Sequence, residues 1–378
     1  MRAWLNAWRK LPDSRSASRP ALAGRGHYWL LRRDAGVQAR RLAPRLGWAV
    51  LLVTVPLLGM AQSWQAQDSG TKASLRGVSA VNANAAWASG DHGTFLKTTD
   101  GGLSWTAATM PGASDLDFRD VEAFDERTAF LLSAGTGPQS RIYKTIDGGM
   151  RWSLLYTNPD PKGFWDCMAF WDSTHGMVVG DPVDGRFTIL VTSDGASWRK
   201  VKGPVAGKGE GAFAASGTCV VTRGTREAWL ATGGPGGARV FHTVDAAETW
   251  TAAKTPLRNN GANAGVFSVA FADARHGVAV GGDFKEAAST MGNLAVSEDG
   301  GRTWTVPPGS PPGGYRSAVV YVAERKVWIA TGTPGSDAST DGKTWKGFDG
   351  GSYNSLSFAG GAGWAVGPGG AIARFKME

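Results

Sequence analysis

Short runs of apolar residues, each bounded by small residues, recur seven times along the last three quarters of this chain. Each run covers only four or five positions, which is too short for a helix and typical of a strand covered on both faces. Another short strand-like segment lies upstream of every run, so each pair predicts two antiparallel strands. The seven runs begin at Ala86, Ala129, Gly176, Ala228, Gly277, Val327 and Gly363.

A second pattern follows six of these runs: a hydroxyl residue, any residue, Asp, a turn of small residues, and Trp. The first copy reads Thr98-Thr-Asp100-Gly-Gly-Leu-Ser-Trp105. An Asp carboxylate can accept from nearby backbone N–H groups, and Gly supplies a positive φ, so each phrase predicts a hairpin with a structural aspartate. The third and sixth copies are one residue shorter and the fourth has Ala at both glycine positions, so these three turns are expected to differ locally. The aspartates are Asp100, Asp147, Asp194, Asp245, Asp299 and Asp341.

The spacing of these aspartates indicates a repeat architecture. They lie 47, 47, 51, 54 and 42 residues apart, and each interval has room for four strands. We therefore predict an all-β fold, a seven-bladed β-propeller of four-stranded antiparallel blades. The seventh phrase is missing because the sequence ends within the third strand of the last unit. Ser63-Trp64 resembles the start of a returning strand, so this N-terminal strand is predicted to close the last blade.

The first 61 residues differ in composition from the rest. Residues 1–46 contain 11 Arg or Lys and 2 Asp, and residues 46–60 are mostly apolar. This order predicts a signal peptide with a long basic n-region, cleaved after Ala61, and one propeller domain over residues 62–378. The mature protein is then exported to the periplasm or the extracellular space. No Cys follows the apolar run, so we expect no stable membrane anchor after cleavage.

The charge balance changes once the leader is set aside. Residues 62–378 carry 29 basic and 30 acidic side chains, so the calculated pI of about 9.6 comes from the leader. Nucleic-acid binding thereby loses its compositional support. The chain also lacks zinc-ligand spacing, a phosphate-binding loop and a Gly-x-Ser-x-Gly elbow. We expect no metal and no cofactor, and we expect a monomer.

The two cysteines, Cys167 and Cys219, occupy equivalent positions on the first strands of units three and four. An oxidising compartment would allow a disulfide between these neighbouring units if the two Cα atoms lie within about 7 Å. Two buried free thiols are the alternative that the sequence leaves open.

One group of polar residues falls at or near the start of the first strand in five units. First strands line the axis of a propeller, so these side chains are predicted to converge at one mouth of the central channel and to bind a ligand there. Alternatively, they only solvate the channel rim and pair Arg with Asp. The residues are Arg76, Arg119, Asp166, Arg316 and Asn354.

The repeated phrases resemble the Asp-box (BNR) repeats of sialidases, sortilin-type receptors and several glycoside hydrolases. Together with Gly363-Trp-Ala-Val-Gly, they more specifically resemble the photosystem II stability and assembly factor family over residues 63–378. That resemblance implies a seven-bladed propeller acting as a binding scaffold. The resemblance does not by itself imply a photosystem partner, because members of the family also occur in non-photosynthetic bacteria. Sialidase-like catalysis is disfavoured, since no Arg-Ile-Pro segment precedes the first box.

Two classes of function remain open at this level. We favour an exported, non-catalytic scaffold that binds a protein or a carbohydrate at the axial channel face. The alternative is a secreted glycoside hydrolase of sialidase-like or xyloglucanase-like type. Its acid and base would come from carboxylates that follow the second strands, namely Asp91, Asp181, Asp184 and Asp283.

Overall fold

The computed structural model of the protein describes residues 62–377. That part of the chain consists of 27 β-strands and three short 3₁₀-helices. The predicted leader and its cleavage site lie outside the described residues. Between residues 62 and 377, no helix is long and apolar enough to cross a membrane.

The strands form seven antiparallel sheets, which we number as blades 1 to 7, with strands A to D running from the axis outward. Blade 1 contains β2 (Leu75–Ala80), β3 (Ala86–Gly90), β4 (Thr94–Thr98) and β5 (Thr106–Thr109). Blade 2 contains β6 (Phe118–Ala123), β7 (Ala129–Ser133), β8 (Arg141–Thr145) and β9 (Ser153–Thr157). Blade 3 contains β10 (Trp165–Phe170), β11 (Gly176–Val183), β12 (Arg186–Thr192) and β13 (Arg199–Val201).

The remaining blades repeat this order. Blade 4 contains β14 (Val220–Arg223), β15 (Glu227–Ala231), β16 (Arg239–Thr243) and β17 (Thr251–Lys254). Blade 5 contains β18 (Ala264–Phe271), β19 (Gly277–Asp283) and β20 (Leu294–Ser297). Blade 6 contains β21 (Ala318–Val322), β22 (Val327–Gly332), β23 (Gly335–Ser339) and β24 (Lys346–Asp349). Blade 7 contains β25 (Ser355–Ala359), β26 (Ala362–Val366), β27 (Ile372–Met377) and, on its outer side, β1 (Gln62–Gln67). The 3₁₀-helices are Gly137–Gln139, Phe284–Glu286 and Pro368–Gly370.

The A strands contact one another in sequence around a central axis, and β25 contacts β2 to complete the circle. Seven clusters of buried apolar side chains lie between neighbouring blades, one at each junction. Between blades 7 and 1, for example, Trp364 meets Trp105 edge to face with ring centroids 6.5 Å apart. The core is therefore a ring of interblade layers, and the predicted seven-bladed propeller is confirmed.

Blade 5 has three strands instead of four because its outer position forms only one isolated bridge. Val296 and Thr305 exchange two backbone hydrogen bonds of 2.9 Å. Pro307 and Pro308 follow almost at once and have no N–H to donate, so the ladder cannot continue.

Each repeated Asp phrase forms the turn between strands C and D, and the aspartate is surrounded by its own turn. In blade 2, Asp147 Oδ1 accepts from Thr145 Oγ1 and from the Arg151 N–H, both at 2.9 Å. The bond from Arg151 is the main reason that the pKa of Asp147 is lowered. The other aspartates accept the same kinds of bonds, namely Asp100, Asp194, Asp245, Asp299 and Asp341.

The fourth turn was expected to differ because it lacks glycine, and that expectation was wrong. Ala246 and Ala247 adopt φ values of 58° and 71°, the left-handed conformation that glycine provides elsewhere. The hydroxyl and carboxylate bonds around Asp245 outweigh the steric cost of two Cβ atoms in this conformation.

A basic side chain on strand C links several blades to the next turn. Lys144 Nζ donates to the Gly195 carbonyl of blade 3 at 2.9 Å and lies 5.0 Å from the centre of the Phe130 ring. Lys97 makes the corresponding bond to Gly148 at 3.0 Å. Arg374 on blade 7 reaches the carbonyl of Gly101 in blade 1. Each link satisfies a turn carbonyl and joins two neighbouring blades.

β1 pairs antiparallel with β27 over six residues, so both ends of the described chain contribute to blade 7. Trp64 of β1 is 7% exposed, and its ring lies 5.3 Å from Phe375 and 5.8 Å from Tyr353, centroid to centroid. Its Nε1 donates to Ser336 Oγ of blade 6 at 3.0 Å. The N-terminal strand therefore contacts blades 6 and 7 together.

Candidate functional site

The ring has two unlike faces. The A–B turns and the C–D turns formed by the repeated Asp phrases lie on one face, because antiparallel strands place alternate connections at opposite ends. We call this face the box face. The B–C loops and the connections from strand D to the next strand A lie on the other face. The longest of these connections, residues 202–219, leads from blade 3 to blade 4.

Part of that connection enters the centre of the ring, and we call residues 211–218 the plug. The Ser216 hydroxyl donates to the Ser317 carbonyl of blade 6 at 2.8 Å. The backbone carbonyl of Ser216 accepts from Ser355 Oγ of blade 7 at 2.7 Å. Thr218 Oγ1 donates to Ser268 Oγ of blade 5 at 2.8 Å. These partners come from three blades, so the plug fills the channel. We call the face that it occupies the plugged face.

Small side chains and one aromatic ring fit the plug to the channel. Phe213 stacks on Phe267 of blade 5, with centroids 3.7 Å apart and the ring planes nearly parallel. Gly217 has a φ of +76°, and a Cβ there would collide with the Asp120 carboxylate of blade 2. Only glycine adopts this positive φ readily and also leaves room for the Asp120 carboxylate.

The predicted channel residues lie at a local irregularity in the inner strands. In blades 1, 2 and 3 the A–B pairing skips one residue, and the skipped residues are Arg76, Arg119 and Asp166. Phe267 is skipped in the same way in blade 5. Such bulges redirect a side chain out of the regular alternation. The same device therefore positions three of the five predicted residues.

The structure brings Arg76, Arg119 and Asp166 together, and we call these three the charged cluster. All are buried, with exposures of 7%, 9% and 1%. Arg119 Nε donates to Asp117 Oδ2 at 2.7 Å, and its Nη1 donates to the Ala214 carbonyl of the plug at 3.1 Å. Arg76 interacts electrostatically with Arg119, Asp117 and Tyr315. The cluster thus lies directly beneath the plug.

The burial of this cluster shifts its protonation equilibria. Burial, assisted by the like charge of Arg119, lowers the pKa of Arg76 to about 10. Burial and the neighbouring Asp181 raise the pKa of Asp166 well above its usual range. Burial also raises the pKa of Asp181 to about 7, although its Oδ1 accepts from the Ala212 N–H of the plug at 3.1 Å. The raised pKa values reduce the negative charge that Asp166 and Asp181 contribute, whereas Asp117 remains paired with Arg119.

Arg316 and Asn354 lie at equivalent positions in blades 6 and 7, but their hydrogen bonds are directed to neighbouring strands. Arg316 Nε donates to Asp337 Oδ2 at 2.6 Å, and both side chains are 3% exposed. Asn354 Nδ2 donates to the Leu75 carbonyl of blade 1 at 2.8 Å. These contacts tie strands together rather than adding to the charged cluster.

The carboxylates considered for hydrolysis do not form an open pair. Asp91 Oδ1 accepts from the Ser74 N–H at 2.8 Å, and Asp283 Oδ1 accepts from the Lys285 N–H at 2.9 Å. Asp184 is exposed in a tight turn with a φ of 50°. Asp181 lies near Asp166, but Asp166 is almost completely buried. Among the described residues, no group of three or more His, Cys, Asp or Glu side chains could hold a metal ion.

Several important residues were missed at the sequence level. Asp117 could have been predicted as a partner of Arg119, because it lies only two positions earlier in the sequence, directly before β6. Asp337 could not, because it reaches Arg316 from another strand of blade 6. The plug lies in a connection without any repeat signal, so neither its entry into the channel nor the role of Phe213 was predictable.

The structure joins Cys167 and Cys219 in a disulfide between the inner strands of blades 3 and 4. Their Cα atoms are 6.2 Å apart, and both residues are fully buried. Cys219 directly follows the plug, so the bond also fixes the point at which the plug leaves the channel.

No family model and no curated protein matches this chain. Among solved structures, "YCF48 bound to D1 peptide" is 17% identical, covers 86% of this chain and 100% of its own, and has a TM-score of 0.42. YCF48 from Cyanidioschyzon merolae is 16% identical, with coverages of 83% and 98% and a TM-score of 0.39. U3-55K is 13% identical, with coverages of 83% and 98% and a TM-score of 0.57. At these identities, similarity extends to the fold alone.

Proposed function

We propose that this protein is an exported, non-catalytic binding scaffold that receives a protein or carbohydrate partner on the plugged face. The observation that carries the proposal is the charged cluster beneath the plug. Asp117 pairs with Arg119, but Asp166, beside the two guanidinium groups, has a raised pKa and so offsets less of their charge. The channel mouth therefore keeps a positive potential, which favours an acidic group on the partner.

On the opposite face, the repeated polar side chains are already engaged by the protein. Its aspartates accept hydrogen bonds from their own turns, and its strand C lysines bind turn carbonyls. The plugged face instead carries the long irregular connections, and propeller-like scaffolds commonly place binding residues on such loops. The difference between the faces favours a partner on the plugged side.

Export is part of the same proposal. The basic and apolar leader predicts it, and the disulfide between Cys167 and Cys219 supports it, because structural disulfides persist in oxidising compartments. A glycoside hydrolase is not favoured. Hydrolysis needs two carboxyl groups about 5 to 10 Å apart across an accessible cleft. Asp166, the neighbour of Asp181, is only 1% exposed and lies beneath the plug.

The test compares one matched substitution on each face. His92 on the plugged face and Met150 on the box face are equally exposed, at 81%. His92 has a φ of 55°, which Asp tolerates, so His92→Asp and Met150→Asp introduce the same charge without loss of core packing. Partners captured from the exported fraction should bind the Met150 variant like the parent and bind the His92 variant less well.

A double variant then examines the arginines themselves. Arg76→Ala with Arg119→Ala, the two arginines of the charged cluster, should weaken capture, whereas Lys200→Ala on the outer strand of blade 3 should not. Circular dichroism and thermal melting establish that each protein tested is folded. Full binding by a folded double variant, with loss in the Lys200 or Met150 variant, would move the site away from the plugged face.

A further inference from the structure

A second candidate site lies away from the channel, in a groove between the outer parts of blades 3 and 4. The groove has a volume of about 410 Å³. Its basic lining side chains are Arg186, Lys202 and Arg239, and its floor includes Phe241 and Trp250. Aromatic rings and cations therefore lie side by side in one groove.

The basic side chains are held in different ways. Arg186 and Lys202 are exposed, and Arg186 Nη1 donates to the Gly203 carbonyl at 2.9 Å. Arg239 is more rigid, because its Nε donates to Glu210 Oε1 at 2.9 Å and its Nη2 donates to the Val205 carbonyl at 2.9 Å. The Arg239 guanidinium also lies 4.5 Å from the centre of the Phe241 ring. One cation is therefore preorganised, and two others can adapt to a ligand.

Glu210 fixes Arg239 from the inside of the protein. Its side chain is fully buried and accepts from Thr232 Oγ1 at 2.7 Å and from the Gly207 N–H at 2.6 Å, besides its bonds from Arg239. Its oxygens are thus engaged by protein donors. Keeping the charged Glu210 carboxylate away from water costs free energy, which a rim with only a structural role would not require.

The two walls of the groove are also fixed relative to each other. The disulfide between Cys167 and Cys219 joins the inner strands of the same two blades, and the connection that carries Lys202 and Glu210 runs between them. A rigid groove loses less entropy when it binds a ligand.

The chemistry of the lining favours a particular class of ligand. The ring of Trp250, which is half-buried, offers an apolar surface to the C–H face of a sugar. The guanidinium and ammonium groups suit carboxylates, with Arg binding them in a planar fork. Glu248 also lines the groove, where Arg199 Nη2 donates to its Oε1 at 2.8 Å, so the charge of this carboxylate is paired.

From this arrangement we propose that the groove between blades 3 and 4 binds an acidic saccharide that contains uronate residues. Trp250 would stack on a sugar ring, and Arg186 and Lys202 would bind its carboxylates. Arg239, already paired with Glu210, would add a fixed cation beside them. This site is separate from the partner site on the plugged face and does not depend on it.

Calorimetric titration of the disulfide-intact protein with tetragalacturonate tests this proposal. We expect saturable binding that weakens as salt is added, because exposed charges are screened. Neutral galactotetraose of the same length should bind about tenfold more weakly or not at all, since it has no carboxylate to pair. Tetraglutamate should also bind more weakly, because it lacks a sugar face that could stack on Trp250.

Matched variants locate the binding. Arg186→Ser with Lys202→Ser removes two exposed charges and should weaken tetragalacturonate binding about tenfold or more. Lys346→Ser with Lys376→Ser removes two exposed charges elsewhere and should have no effect. The proposal is overturned by an absence of tetragalacturonate binding, by equal binding of either comparison ligand, or by full affinity in the groove variant. Because His92→Asp lies on the plugged face, its effect on partner capture distinguishes failure of this site from failure of the proposed function.

Discussion

The pairing of the N-terminal strand β1 with β27 leads to a quantitative prediction for Trp64→Ala. Trp64 is 7% exposed and contacts Phe375 and Tyr353 across two blades. Replacing a buried Trp with Ala typically costs about 3 to 5 kcal/mol, because apolar contacts are lost and a cavity remains. The lost bond to Ser336 Oγ adds about 1 kcal/mol at most. We expect a loss of roughly 3 to 5 kcal/mol, since the outer strand can partly relax.

The assay is urea unfolding followed by far-ultraviolet circular dichroism, with the slope of the transition fixed between proteins. Gln65→Ala in the same strand is the control, because Gln65 is exposed and should change stability by no more than about 0.5 kcal/mol. Deleting residues 62–68 should be at least as damaging as Trp64→Ala, since the pairing with β27 is lost as well. If the Trp64 variant and the deletion both unfold at the same urea concentration as the parent, the strand does not stabilise the ring.

Three further predictions concern the turns, the links between blades and the buried acids. Asp147→Ala should lower the Tm, because the Arg151 N–H loses its acceptor, yet it should leave partner binding intact in the folded protein. A stable but non-binding variant would contradict the structural role of the turn. Lys144→Met should cost about 1 kcal/mol through loss of a turn bond and a cation–π contact. An unchanged Tm in thermal melts would show that the Lys144 link does not stabilise the fold. Folding raises the pKa of Asp181 and of Glu122 to about 7, mainly through burial. The folded state therefore binds more protons between about pH 4 and 7, so the unfolding free energy should fall as the pH rises across that range and level off above about pH 7. Asp181→Asn should flatten that dependence in urea titrations at several pH values, and an unchanged slope would exclude Asp181 as its source.

The repeated elements of this fold were predictable because each one is a local pattern. Alternating strands and the Asp phrase fix seven blades, and one exception in blade 5 follows from Pro307 and Pro308. The alanine turn at Asp245 shows the limit of such reasoning, since side-chain hydrogen bonds there outweighed backbone preference. Local chemistry thus predicts what each repeat forms by itself.

The candidate site was only partly predictable because its contacts connect distant parts of the chain. The alignment of repeats found Arg76, Arg119 and Asp166, which share one bulge position, but it did not show that they are buried. Their covering, the plug, belongs to no repeat and binds residues about 50 to 140 positions away along the chain. Such contacts depend on the closed ring and have no counterpart in the spacing of the sequence.

The most direct test of the central claim is hydrogen–deuterium exchange of the protein with and without a partner captured from the exported fraction. We predict that bound partner slows exchange in the plug, residues 211–218, and in the loop around His92, while the C–D turns of the box face exchange as in the free protein. Protection confined to those C–D turns, with the plug unchanged, would contradict binding at the plugged face.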